Sequence, residues 1–193
     1  MGLRGWRLAL RHLGSTGFGS IARRYFAANL FDGVLTALGL VLGYYFAGGA
    51  SAGTLIATAL AAGLGLGISG FVSSLLVEMA ERHRELAELE RVMMRGLHGT
   101  VLGYARKLAV FLSALANSVG AVVGTLTVVA PMLAADAVGF GASAASAIAV
   151  GFAELLALGV YLARTSGASA LKYAAAMLGA GLALVAATLL MGG

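Results

Sequence analysis

The chain has 193 residues, of which 60% are hydrophobic and only 11% are charged, and its mean hydropathy is +0.95. A soluble domain of this size would need many more charged residues to cover its surface, so the composition predicts an integral membrane protein. The absence of cysteine excludes disulfides, thiolate metal sites and CxxC redox chemistry. The net charge of +5 comes from basic residues beside hydrophobic segments. This placement indicates membrane topology, and no nucleic-acid partner is expected.

Residues 1–22 are predicted to form an amphipathic helix that lies on the membrane surface. Their arginines recur at spacings of three and four, at Arg4, Arg7 and Arg11. This puts the charges near one helical face and leaves an apolar face that contains Trp6. The same arginines interrupt the apolar core that a signal peptide would need. The sequence GSTGFGS at 14–20 is predicted to be a flexible joint before the membrane domain, residues 23–193.

Five hydrophobic segments follow, and each is long enough to cross a bilayer as a helix. They cover about residues 26–47, 53–77, 108–134, 139–163 and 171–191. No strand-like alternation is present, so the predicted fold is an all-α bundle of five transmembrane helices. Positive charge gathers before the first span, between the second and third, and between the fourth and fifth. The positive-inside rule therefore places the N-terminus in the cytoplasm and the C-terminus outside. The expected location is the plasma membrane of a prokaryote.

The first span carries a carboxylate within the run RRYFAANLFDGVLTALGLVLGYYF at 23–46. Asp32 follows Arg24 by eight residues, so it lies roughly 12 Å into the membrane at about 1.5 Å per residue. Intramembrane acids commonly face a cavity, a partner or a transported ion, because an ionised side chain there is costly. The alternative is a salt bridge to Arg23 or Arg24 that only holds the helix.

Three further polar residues fall at a similar predicted depth. They are Ser69 in the second span, Asn117 in the third and Glu154 in the fourth, each roughly 13 to 15 Å from the cytoplasmic end of its span. With Asp32 they are predicted to form one polar layer that suits a divalent cation or a proton relay. A structural alternative stays open, in which Ser69 and Asn117 bond across helices and Glu154 is protonated in the core.

The second span is predicted to continue as a helix beyond the membrane, because residues 78–95 read EMAERHRELAELERVMMR without Gly or Pro. Four glutamates fall within about an 80° arc of this helix. They are Glu78, Glu81, Glu85 and Glu88. Such i, i+3 pairs can share an oxygen-preferring metal ion, and the stripe would collect cations at a pore mouth. The alternative is a solvated helix with i, i+4 pairs between glutamate and arginine.

Pairs of glycines recur at four-residue spacing, a pattern that lets membrane helices approach closely. They are Gly39/Gly43, Gly63/Gly67 and Gly120/Gly124. The spacing predicts that at least one pair marks a tight crossing, within one chain or between two copies.

Four stretches resemble the vacuolar iron transporter family, whose members carry Fe²⁺ and Mn²⁺. They are FDGVLTALGLVLG at 31–43, GLGLGISGFVSSLLVEMAERHRELAELE at 63–90, LLALGVYLARTSG at 155–167 and KYAAAMLGAGLALVAATLLMGG at 172–193. The resemblance implies a homodimer with the ion route at the subunit interface, which exports Fe²⁺ or Mn²⁺ against protons. It also implies that Asp32 is the acid of the first helix, and that Glu85, Glu88 and Met93–Met94 correspond to cytoplasmic metal ligands.

The chain departs from the family pattern in its second helix. Where the family reads Ser-Met this chain has Ser69-Gly70, and Ser73 and Ser74 stand where an acid usually follows. Glu154 is a candidate replacement for that lost carboxylate.

The predicted protein is thus a dimeric divalent-metal transporter in a lipid bilayer, with no permanent cofactor and no enzymatic activity. Asp32 would be the central ligand, Ser69 and Asn117 neutral oxygen donors, and Glu154 a second ligand or the proton carrier. The rival predictions are a transporter of another substrate on the same fold and a membrane scaffold without transport.

Overall fold

The computed structural model of the protein describes residues 13–48, 51–94 and 101–192. Within these ranges the chain forms five long helices and no strand, which confirms the predicted all-α class. They are α1 (Phe18–Phe46), α2 (Ala52–Met93), α3 (Val101–Val129), α4 (Phe140–Ser166) and α5 (Ala170–Gly192). All five are long and apolar enough to cross a membrane. The orientation of the termini across a bilayer stays a prediction.

Helix α1 begins earlier than the predicted first span. A 3-10 turn at Leu13–Thr16 leads to Gly17, whose left-handed φ of 71° ends the turn, and α1 then starts at Phe18. The hydroxyl of Ser20 donates to the carbonyl oxygen of Gly17 at 2.9 Å, which supports this start. The joint predicted at 14–20 is therefore partly helical. The arginines of the predicted surface helix lie outside the described residues.

Helix α2 continues without a break through the predicted end of the second span. Ser51 caps its start by accepting a hydrogen bond from the backbone N–H of Thr54, and Met94 ends it with a φ of 50°. Its 42 residues make it about 63 Å long, roughly twice the hydrocarbon thickness of a bilayer. The helical extension predicted for residues 78–95 is thus present as far as Met93.

Helices α3 and α4 are joined by short helical segments rather than by an extended loop. A 3-10 turn covers Ala130–Ala134 with Pro131 near its start, and a four-residue helix covers Ala135–Val138. Gly139, at φ 89°, then redirects the chain into α4. The predicted boundary between the third and fourth spans coincides with this glycine.

Helix α1 is the centre of the bundle, because it packs against each of the other four helices and most extensively against α3. In their most apolar stretches 44% of the residues of α1 are buried, but only 22% in α2 and 11% in α5. Large apolar side chains on α2 accordingly face outward, among them Leu60, Leu64, Ile68 and Val72. The outer faces of α2 and α5 are therefore the least buried surfaces of the bundle.

Two of the three glycine pairs mark close helix crossings, as the spacing predicted. A Cβ atom at Gly120 or Gly124 would lie 2.5 Å from a backbone carbonyl oxygen of α1. A Cβ at Gly63 would lie 2.8 Å from Thr125, so the α2–α3 crossing is also tight. Gly43 has open space around it in the described chain. Glycine therefore brings α3 against both α1 and α2.

Candidate functional site

Asp32 lies on an exposed flank of α1, although the residues around it along the helix are apolar. Among the residues that the structure describes, its carboxylate makes no hydrogen bond and no ion pair. Arg23 instead donates from Nε to the carbonyl oxygen of Gly19 at 3.1 Å, and Arg24 forms no ion pair in the described ranges. The alternative prediction, a salt bridge between Asp32 and Arg23 or Arg24, is therefore not found in the described ranges.

Asp32 and Ser69 lie on the same open side of the α1–α2 pair. On α1, Leu30 and Val34 contact α3, and Asp32 lies roughly 160° around the helix from each of them. On α2, the side toward α3 contains Gly63 and Gly67, and Ser69 lies roughly 120° around the helix from Gly63 and roughly 160° from Gly67. Both side chains thus point away from α3.

The two helices touch at the same level, since a Cβ at Gly70 would collide with the side-chain amide of Asn29, three residues before Asp32. Ser69 and Ser73 are both exposed on α2 at this level. Asp32, Ser69 and Ser73 therefore form one exposed polar surface, which we call the open polar flank.

A buried amide cluster ties α1, α2 and α3 together beside the open polar flank. Asn29 donates from Nδ2 to the backbone oxygen of Asn117 at 2.8 Å, and Asn117 donates from Nδ2 to the backbone oxygen of Gly70 at 2.8 Å. Ser74 donates to the same Gly70 oxygen at 2.6 Å. Asn29 and Asn117 are each 7% exposed. The amide of Asn117, predicted as a neutral metal ligand, is thus engaged in joining helices, as the structural alternative proposed.

The same cluster accounts for glycine at position 70. The Asn29 amide fills the space that any Cβ at this position would need. A methionine, which the resemblance places there, would displace Asn29 from Asn117. The sequence analysis did not single out Asn29, although a second polar residue one turn before Asp32 was a usable signal.

Glu154 lies on a different side of the bundle from Asp32. Its carboxylate approaches the hydroxyl of Thr127 on α3, and its Oε2 atom is buried without a hydrogen-bond partner. The α4 surface beside it meets α1 where Gly151 contacts Leu38, and Leu38 lies roughly 120° around α1 from Asp32. The structure therefore does not bring Asp32 and Glu154 into one site within a single chain.

The acidic stripe on α2 is largely paired with arginine. Glu78 is 8% exposed, accepts a hydrogen bond of 3.2 Å from the phenol of Tyr25 and lies 3.5 Å from Arg82. Glu85 lies 3.0 Å from Arg82 and 3.5 Å from Arg106 on α3. This network joins α1, α2 and α3 at one end of the bundle.

The other two glutamates of the stripe are exposed. Glu88 pairs with Arg84 at 3.4 Å on the helix surface. Glu81 forms no ion pair in the described part of the chain. Of the four predicted collecting residues, Glu81 is thus the one whose charge is not already balanced by a neighbour.

No group of three or more His, Asp or Glu side chains that could hold a metal ion is present in the described ranges. The predicted ligands therefore occupy four places: Asp32 and Ser69 on the open polar flank, Asn117 in the buried amide cluster, Glu154 between α3 and α4, and the glutamates along α2. Metal binding by any of them stays a prediction.

Comparison with known proteins gives a distant relative. The chain is 27% identical over 166 residues to an uncharacterized protein of the archaeon Methanocaldococcus jannaschii, and the match covers 82% of each chain. No family model matches the sequence, and no solved structure matches it.

Proposed function

We propose that the chain is a homodimeric transporter of divalent metal ions, Fe²⁺ or Mn²⁺, which exports them from the cytoplasm in exchange for protons. The observation that carries this proposal is the position of Asp32. Its carboxylate lies within an apolar, membrane-length helix, is exposed on the surface of the single chain and has no partner in the described ranges.

A carboxylate in this position must be shielded from lipid. In a bilayer it would face acyl chains, which costs at least about 2.5 kcal/mol for the charged form. A second copy placed on the open polar flank would remove Asp32 from lipid. Twofold symmetry would then bring two Asp32 carboxylates to the same interface. Two such acids are stabilised together by a divalent cation or by a shared proton, which is the simplest physical basis for exchange of metal against protons.

The outer surface of α2 is compatible with this dimer. Small residues recur there at four-residue spacing and are all exposed: Ala57, Ala61, Gly65 and Ser69. Such a stripe lets two helices approach closely. Ser69 would reach the interface together with Asp32 and supply a neutral oxygen ligand.

The remaining predicted residues take separate roles in this proposal. Asn117 fixes the relative position of α1, α2 and α3 and so holds the open polar flank in place. Glu154, on a different side of α1 from Asp32, is assigned as the proton carrier because its Oε2 atom is buried without a partner. Glu81 and the exposed part of the stripe would collect ions at the entrance.

Transport in proteoliposomes tests the proposal. The purified chain is expected to move Mn²⁺ under a pH gradient, and Asp32→Asn is expected to abolish this movement. Asp136→Asn is the matched control, because Asp136 is exposed in the α3–α4 connection. Equal transport by the Asp32→Asn variant and the unchanged chain would refute the role of Asp32. Competition by Fe²⁺, Co²⁺, Zn²⁺ or organic solutes separates metal transport from transport of another substrate.

A second candidate function is a membrane scaffold that does not transport. It is favoured by the hydrogen bonds of Asn117 and the ion pairs of Glu78, Glu85 and Glu88, because these polar groups already act between or along helices. A dimer that neither transports nor gains thermal stability from Mn²⁺ would support the scaffold.

A further inference from the structure

A cavity of about 330 Å³ lies where the start of α1 meets the end of α4 and the first turn of α5. This is near the lower end of the range of about 300–1,000 Å³ that is typical of small-molecule sites. Its polar lining includes Arg23 and Arg24 from α1, Tyr161 from α4 and Tyr173 from α5. None of the eight lining residues is acidic. We refer to this space as the basic cavity.

The basic cavity presents hydrogen-bond donors without acceptors to match them. Within the described ranges neither Arg23 nor Arg24 pairs with a carboxylate, and the phenols of Tyr161 and Tyr173 have no hydrogen-bond partner. The three serine and threonine hydroxyls of the lining already donate to backbone carbonyls, Ser20 to Gly17 at 2.9 Å and both Thr165 and Ser166 to Leu162 at 2.9 Å. Arg23 uses its Nε atom for the carbonyl oxygen of Gly19, so its terminal nitrogens, the guanidinium group of Arg24 and the two phenols remain to bind an anion.

Helix ends add positive potential to the same place. Both α1 and α5 begin near the cavity, and the N-terminus of a helix carries a partial positive charge. The C-terminus of α4 opposes them, but some of its last carbonyls accept hydrogen bonds: from Thr165 and Ser166 at Leu162, and from the backbone N–H of Ala168 at Ala163. The balance of charge favours an anionic ligand.

The surroundings of the cavity identify the kind of anion. It lies where apolar, membrane-length helices begin and end, and Tyr161 and Tyr173 are 40% and 37% exposed. Amphipathic aromatic rings at this level are typical of the membrane–water interface. Basic pockets between membrane helices bind phosphate-containing lipid headgroups, and arginine forms paired hydrogen bonds with phosphate oxygens.

We propose that the basic cavity binds the phosphate of an anionic glycerophospholipid through Arg23 and Arg24, with Tyr161 and Tyr173 as additional donors. This inference depends on insertion of the helices in a membrane but not on metal transport. A bound headgroup would join the first helix to the α4–α5 pair at the end of the bundle where α1 begins. It would also neutralise two arginines that no carboxylate in the described ranges balances.

Lipid titration of the purified full chain, read by native mass spectrometry, tests the proposal. The unchanged chain is expected to retain phosphatidylglycerol in preference to phosphatidylcholine. Arg23→Gln/Arg24→Gln is expected to weaken that preference about tenfold or more, since charged hydrogen bonds to phosphate are lost. The matched control is Arg164→Gln/Lys172→Gln, which removes the same charge from neighbouring exposed positions outside the cavity and should change retention by less than about twofold.

A second variant keeps every charge in place. Tyr161→Phe/Tyr173→Phe is expected to weaken phosphatidylglycerol retention about three- to tenfold without affecting insertion. The proposal would be overturned if the arginine variant and its control lost phosphatidylglycerol retention equally. It would also be overturned if neither cavity variant lost retention. Displacement of the lipid by inorganic phosphate at equal concentration would also overturn it, in favour of a free-phosphate site. Mn²⁺ transport is a separate readout, so failure here leaves the proposed function standing.

Discussion

The side-chain amide of Asn29 donates a hydrogen bond of 2.8 Å to the backbone oxygen of Asn117, 88 residues further along the chain. The amide of Asn117 in turn donates to Gly70, so one chain of hydrogen bonds crosses three helices. Asn29 lies one turn before Asp32, and the cluster therefore fixes the part of α1 on which the proposed ligand stands. In the proposed transporter, this one turn of helix would connect the stability of the bundle with the position of the ligand.

Replacing Asn29 by alanine is expected to destabilise the bundle by about 0.6–2 kcal/mol, the range measured for hydrogen bonds between membrane helices. Thermal unfolding in detergent or lipid measures the change. Ser146→Ala is the control, because that exposed hydroxyl bonds only to Ala142 of its own helix. A loss no larger than that of the control would show that the amide cluster is energetically unimportant.

Gly70→Ala is expected to be destabilising alone but tolerated when Asn29→Ala is also present. The added Cβ collides with the Asn29 amide, and removing that amide leaves Asn117 at 3.3 Å as the nearest remaining neighbour. A double-mutant cycle should give a coupling free energy of about 0.5–3 kcal/mol. Additive effects of the two substitutions would contradict the contact between Asn29 and Gly70.

Gly120→Ala is expected to lower stability by about 1–3 kcal/mol, because the new methyl group would lie 2.5 Å from the backbone oxygen of Phe26. Gly179→Ala on α5 is the control, since a Cβ there meets no atom within 4 Å. In that helical position alanine should be neutral or stabilising by up to about 1 kcal/mol. Similar melting temperatures for the two variants would refute the close α1–α3 crossing.

The absence of cysteine allows a direct test of the proposed dimer interface. Single cysteines introduced at Ala61, Gly65 and Ser69 are expected to form disulfide-linked dimers in membranes on mild oxidation, with the yield varying along the exposed stripe of α2. A disulfide requires Cα atoms about 4.4–6.8 Å apart. Gly179→Cys on the outer surface of α5 is the control. Cross-linking that is equal at all four positions, or strongest at Gly179, would place the interface elsewhere.

Calorimetric titration with Mn²⁺ tests the acidic stripe. Glu85→Gln/Glu88→Gln should show fewer or weaker sites, whereas Arg84→Gln, which frees Glu88 from its ion pair, should bind more tightly. Isotherms identical to that of the unchanged chain in both variants would favour a solvated helix without a metal-binding role.

Hydropathy predicted the number of helices and their approximate ends, because each span had to contain enough apolar residues to cross a bilayer. The extension of α2 beyond the second span was also predictable, because residues 78–95 favour a helix and contain no Gly or Pro. The start of α1 was not, because the mixed polar sequence FGSIARR offers no apolar run, and its helical start depends on the turn at Gly17.

Residue counting predicts how deep each polar residue lies along its span, but not the direction in which its side chain points. Counting residues from the end of a span places Asp32 and Glu154 at similar depths, whereas the packing of α1 against α3 and α4 decides which way each side chain points. Their placement on different sides of α1, roughly 120° apart around the helix, follows from contacts such as that between Leu38 and Gly151. Likewise, the ion pair between Glu85 and Arg106 depends on how α2 packs against α3. The spacing of residues along one helix cannot predict such a contact.

The most direct measurement is the anomalous scattering of a Mn²⁺-soaked crystal of the protein. The expected result is a Mn²⁺ peak at an oxygen-coordination distance of about 2.0–2.6 Å from Asp32, between two copies that meet across the open polar flank. An Asp32 carboxylate that faces acyl chains in the crystal, with no ion and no second chain beside it, would contradict the proposed transporter.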